Sequence, residues 1–154
     1  MSSIEVVVAG QKISIQPETS YFELLGADKK FLAAKVNGVV TDISLPAKAE
    51  EQIEGIEIGS DDGLAILRHS TAHVMAQAVQ QIYPEAHLGI GPPITDGFYY
   101  DFGNIAPFTP DSLELIEKKM REIINAQQKF VRRVVSDVDA KVELKNEPFK
   151  LELV

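Results

Sequence analysis

The first third of the chain alternates short apolar runs with turn residues. IEVVV at 4–8 and ISI at 13–15 are β-rich and flank Ala9-Gly10-Gln11-Lys12, the pattern of a hairpin with Gly10 in its turn. Pro17-Glu18-Thr19-Ser20 follows, and Thr19 or Ser20 can cap a short helix at Tyr21–Leu25. Ala33–Val36 and Val39–Ile43 bracket Asn37-Gly38, a turn pair that favours a type I′ hairpin. IEGIEI at 53–58 predicts a last strand.

Hairpin, helix, hairpin, strand is an order compatible with a β-grasp (ubiquitin-like) domain, although order alone does not fix topology. Ser60-Asp61-Asp62-Gly63 breaks the pattern and marks a domain boundary. Ser60 or Asp61 can cap the next helix, and Asp61 and Asp62 suit its positive end better than they suit catalysis. That helix is expected to run to Tyr83 and stop before Pro84. Residues 86–90 and 98–102 read as strands, separated by a Gly91-Pro92-Pro93 loop. Thr109 and Pro110 start another helix, in which Leu113, Ile116, Met120, Ile123, Ile124 and Phe130 keep helical spacing. VRRVV at 131–135 and LELV at 151–154 read as β-type runs. The last of these ends without punctuation, as an interrupted domain would.

Composition narrows the function classes. There is no cysteine among 154 residues, which removes disulfides, thiolate metal ligands and Cys nucleophiles supplied by this chain. The absence fits a cytoplasmic protein. No apolar run approaches the roughly 18 residues of a membrane helix, and the N-terminus does not read as a secretory signal. The formal net charge of −8 argues against tight RNA binding by composition alone, since phosphate contacts carry most of such affinity.

The candidate chemistry lies in His69-Ser70-Thr71-Ala72-His73. Four residues apart on a helix, His69 and His73 are neighbours on one face, which they share with Ala76 and Gln80. Leu64, Leu67, Val74, Ala78 and Ile82 fall on the opposite side. Spacing leaves three roles open: a solvated surface pair, part of a metal site that needs a further ligand, or a general base near neutral pH. The HExxH metalloprotease pattern is absent, because Ser70 stands where its Glu would be.

The segment 68–102, RHSTAHVMAQAVQQIYPEAHLGIGPPITDGFYYDF, resembles the start of the editing domain of threonyl-tRNA synthetases. It joins HSxAH, an apolar helix, an IGPPI-type turn and GFYYDF at that family's spacing. Residues 1–59 look like the TGS domain that precedes it, and FKLELV also fits. The resemblance implies an α+β protein: a β-grasp TGS domain at 1–59, then an incomplete α+β editing domain at 60–154. It implies a parent enzyme that loads threonine onto tRNA(Thr) with ATP, as a cytoplasmic class II homodimer with zinc in its core. It also implies an editing reaction that removes misloaded serine. One methyl group distinguishes the two amino acids by only about 1–3 kcal/mol, so a second, hydrolytic site supplies the remaining discrimination.

By the same resemblance His69 and His73 are the editing-site candidates, with Tyr100 a weaker one for lining the cleft. The family's later CxxxH pair and its aminoacylation core have no counterpart in this sequence. The chain alone is therefore expected neither to aminoacylate nor to edit, and to hold neither ATP nor a complete metal site. Gly91, Pro92 and Gly97 are expected to shape loops, His87 to be structural, and Arg132 and Arg133 to lie on a solvated strand. Two other readings remain: a non-catalytic binding or regulatory module of synthetase descent, and a free-standing hydrolase of mischarged tRNA.

Overall fold

A computed structural model describes residues 3–128 and 131–154. Phe130, expected on a helical face, lies outside the described residues. The chain forms two compact units, Met1–Leu67 and Arg68–Val154.

In the first unit, β1 (Ile4–Val8) and β2 (Gln11–Ile15) form an antiparallel hairpin. The short α1 (Tyr21–Leu24) follows, with Ser20 as its cap: Ser20 Oγ accepts the Glu23 N–H, and the Glu23 carboxylate accepts the Ser20 N–H in return. A second hairpin, β3 (Phe31–Val36) and β4 (Val39–Thr41), turns on Asn37-Gly38 with φ of 50° and 82°, as a type I′ turn requires. β5 (Gln52–Glu57) then enters the sheet between β1 and β3, parallel to β1 and antiparallel to β3. The resulting strand order, β2-β1-β5-β3-β4, is a mixed sheet of the β-grasp type.

Alternation places Val6, Ala34, Val36 and Ile53 on the covered face, where they meet Tyr21 and Ala47. Val6 and Ile53 are each 1% exposed. Burying a side chain of that size contributes about 1.5–3 kcal/mol. The Tyr21 hydroxyl donates to the Glu51 carboxylate at 2.8 Å, so the buried phenol leaves no polar atom unmet.

α2 (Asp61–Ile82) begins in the first unit and continues into the second. Ser60 caps it, Oγ accepting the Gly63 N–H, and Asp62 pairs with Lys35 of β3 at 2.5 Å. Gly63 is required by close approach: a Cβ there would overlap the Glu57 carbonyl oxygen.

The second unit contains the rest of α2, then β6 (His87–Leu88), β7 (Pro93–Ile94), β8 (Gly97–Phe98), β9 (Phe102–Gly103), α3 (Pro110–Asn125), α4 (Asp137–Glu143) and α5 (Pro148–Leu151). Its core joins Ala78, Val79 and Ala86 to Ile116 and Ile123. Both α3 features expected from sequence are present, Thr109 as cap and Pro110 in the first turn.

Several expectations are corrected here. The expected strand at 98–102 is two separate pairs: β8 folds back on β7, whereas β9 pairs with β6, and Tyr99–Asp101 form the corner between them. The expected strand at 86–90 shortens to the two residues of β6. Residues 131–135 form neither helix nor strand, with Val131 85% and Val134 79% exposed. β-Propensity acts through packing on neighbouring strands, and among the described residues none pairs with this run. LELV does not continue as a strand, because Pro148 takes a first-turn position and starts α5. The buried side of α2 also differs: Ala72, Ala76, Ala78 and Val79 are covered while Leu67 is exposed, so small residues set the packing face. Among the described residues no helix is long and apolar enough to cross a membrane.

Candidate functional site

α2 brings His69 and His73 together one turn apart. Their Nε2 atoms are 2.9 Å from each other, and the rings meet edge to face with centroids 4.6 Å apart. At that separation one nitrogen donates and the other accepts, so the pair accommodates one proton between the rings and resists a second. Burial holds the His73 imidazole below its ordinary pKa, and the charges of His69 and Lys150 push it further the same way. His73 is therefore neutral near pH 7 and carries a nitrogen lone pair on an accessible face.

Lys150, from α5, lies beside Tyr100. Its Nζ donates to the Gly89 carbonyl at 2.9 Å and lies 6.0 Å over the Tyr100 ring. Tyr100 stands at the corner between β8 and β9, half-buried, stacked on Phe102 at 5.0 Å. Its ring covers Gly91 so closely that a Cβ there would sit 2.8 Å from the ring Cγ. Burial, then the negative charge of Glu147, raises the phenol pKa, so Tyr100 stays a hydroxyl donor at neutral pH. Glu147 itself accepts from Gln80 Nε2 at 2.5 Å and from the Leu88 N–H at 3.0 Å.

Glu147 and Lys150 are the members that sequence reasoning missed. They lie just before the run read as β-type at 151–154, and the signal that could have found them is the Glu-Pro-x-Lys pattern, a helix start that places Glu and Lys on either side of a turn. His87 is half-buried in β6, opposite Gly103. Arg133 makes a two-pronged pair with Glu143 of α4, at 3.0 and 2.6 Å, while Arg132 is exposed. Among the described residues no third His, Asp or Glu joins the histidine pair in a group that could hold a metal ion. What the arrangement offers is a neutral imidazole, a partner for the proton it takes, an ammonium and a phenol.

No protein-family profile matches the chain. Curated proteins do match it, all along its length. It is 51% identical to the threonine–tRNA ligase of Streptomyces coelicolor over the whole chain, which spans 24% of that protein. It is 51% identical to that of Pseudarthrobacter chlorophenolicus over 98% of the chain and 23% of the protein. For Thermobifida fusca the figures are 50%, 98% and 23%. The chain thus spans about a quarter of the length of the curated relatives it matches. Identity of this extent, together with the α+β fold, puts the chain among the aminoacyl-tRNA ligases. Within them it belongs with the threonine–tRNA ligases, matching their N-terminal part.

Proposed function

We propose that the chain forms the N-terminal region of a threonine–tRNA ligase, and that its histidine face contributes to hydrolysis of mischarged Ser-tRNA(Thr). Residues 1–59 are the TGS domain and residues 60–154 begin the editing domain. The whole protein would be a cytoplasmic class II enzyme and homodimer that charges tRNA(Thr) with ATP. ATP and zinc would belong to its aminoacylation core, and no step below passes through either.

The observation that carries the reading is the 2.9 Å contact between two imidazoles on a helix face, with the His73 pKa lowered by partial burial and then by the charges of His69 and Lys150. Ester hydrolysis needs a positioned water, a proton acceptor and positive or hydrogen-bonding groups for the developing oxyanion. With the His73 Nε2 proton donated to His69 Nε2, His73 Nδ1 carries the lone pair that takes a proton from water, and the Nε2 proton shifts across the short contact to His69. The Lys150 ammonium uses one hydrogen on Gly89 and has two others for an oxyanion or a phosphate. The Tyr100 hydroxyl is the second donor nearby. The leaving 3′-oxygen of tRNA recovers the proton, so the step is balanced with water as the only co-reactant.

The test is single-turnover deacylation of Ser-tRNA(Thr) by the 154-residue chain and by the full gene product. Hydrolysis by the full product alone is the expected result, since the chain offers only part of the donor set. Hydrolysis by neither overturns the editing reading and favours a binding module, to which the net charge of −8 gives independent support. Equal hydrolysis by both overturns the expectation that the isolated chain is inactive and favours a free-standing hydrolase.

A further inference from the structure

We infer that Glu147 is the positioning residue of the histidine site, holding the 147–150 turn against α2 and β6 and so fixing Lys150 on the Gly89 carbonyl beside Tyr100. Glu147 occupies the N-cap position of α5, yet its side chain makes no cap to that helix. Acidic side chains at such a position ordinarily turn back on the helix start. Here the carboxylate instead reaches across the unit to Gln80, on the histidine side of α2, and to the backbone of Leu88 in β6.

Three residues later, Lys150 closes the other end of the same turn on the Gly89 carbonyl. Three charge-assisted hydrogen bonds, two of them through one carboxylate, therefore dock four residues, and each spans about sixty positions of sequence. α5 is only one turn long; the Phe149 ring lies against Gly103 and Leu151 is half-buried, so apolar contact adds to these three bonds. Glu147 supplies two of the three bonds.

Only a carboxylate accepts both donors without rearrangement. A glutamine there accepts the Leu88 N–H through its oxygen and offers its amide to Gln80, which satisfies it by turning its own amide over. Alanine removes both bonds. The charged and titratable groups around His73 are His69 on its own helix and Lys150 from α5, with Glu147 and Tyr100 beside Lys150. This gives the inference a sign that separates it from a direct charge effect. Losing a nearby anion lowers an imidazole pKa, whereas releasing Lys150 raises it.

The experiment is an NMR titration of the His73 Cε1 proton in the 154-residue chain. Glu147→Ala is expected to shift the His73 pKa upward, by no more than Lys150→Met does. Glu147→Gln, which keeps the dock and loses only the charge, is expected not to raise it, and Glu147→Ala added to Lys150→Met to cause no further upward shift. An unchanged or lowered His73 pKa in Glu147→Ala, or an additive upward shift in the double variant, overturns the inference. If Glu147→Ala perturbs amide resonances beyond the 147–150 turn and its contacts, Gln80→Leu tests the dock from the α2 side, with an upward shift expected again and no shift contrary to the inference. The functional consequence rests on the editing reading, in which Glu147→Ala slows the chemical step of deacylation without weakening tRNA binding. Because the titration needs no tRNA, failure of that reading and failure of the positioning role are told apart.

Discussion

Replacing Gly63 by alanine sets helix propensity against close packing, and the structure decides the sign. Gly63 lies in the first turn of α2, where alanine is intrinsically better than glycine by about 1 kcal/mol. The added Cβ, however, would overlap the Glu57 carbonyl oxygen and lie 2.9 Å from its carbon and 3.0 Å from the Ile58 oxygen. These atoms are backbone at the end of β5, which cannot swing aside as a side-chain tip does. Relief requires moving the helix start away from the strand, which stretches the Ser60 cap and the Lys35–Asp62 pair. Overpacking of this kind costs about 1–3 kcal/mol, more where rigid groups meet. A lost cap adds about 1 kcal/mol. After subtracting the propensity gain, the net is a destabilisation of about 1–3 kcal/mol. Gly59 is the internal control, because nothing lies within 4 Å of a Cβ there. Urea denaturation followed on amide resonances of β1–β5 gives the midpoint for each variant. Gly63→Ala should lower it clearly and Gly59→Ala should leave it nearly unchanged. An unchanged or higher midpoint for Gly63→Ala would refute the reasoning.

Other positions test other parts of the account. Ile53→Ala, at a side chain 1% exposed in the centre of the sheet, should cost about 2–5 kcal/mol in the same denaturation assay. Tyr21 should titrate at about 12, because burial and then the Glu51 contact raise it, and absorbance of the phenolate measures this directly. A folded pKa above the unfolded one means that this contribution is complete below about pH 10 and is lost as pH rises towards 12; Tyr21→Phe should flatten that part of the stability profile. For His73 the sign is the reverse: its folded pKa is depressed, so the unfolded chain binds the extra proton first. Stability of the second unit should fall as pH drops below the ordinary imidazole value of about 6.5, and His73→Gln should reduce that slope.

The first unit was legible in the sequence because its signals are local and agree with one another. Asn37-Gly38 dictates the hairpin turn, Ser20 with Glu23 forms the cap, and alternation assigns the covered face. What order could not supply is the placement of β5 between β1 and β3, which only the non-local pairing determines. In the second unit the chain reads poorly where the backbone takes partners from several directions. Phe98 to Phe102 looks like one strand because four of its five residues are aromatic, yet its two ends pair with different segments. The 3.6-residue repeat placed His69 and His73 on one face, and their spacing does predict that they are neighbours. It contains nothing about Lys150 or Glu147, whose approach depends on a one-turn helix docked across about seventy residues of chain.

The most direct test of the editing proposal is the rate of Ser-tRNA(Thr) deacylation by the full gene product, with and without His73→Ala, at saturating enzyme in a single turnover. A proton acceptor in the chemical step contributes about 10²–10⁴-fold. The account predicts a loss in that range with tRNA binding retained and charging with threonine unaffected. A His73→Ala enzyme that clears Ser-tRNA(Thr) at the wild-type rate would contradict it and leave the histidine pair as a structural feature of α2.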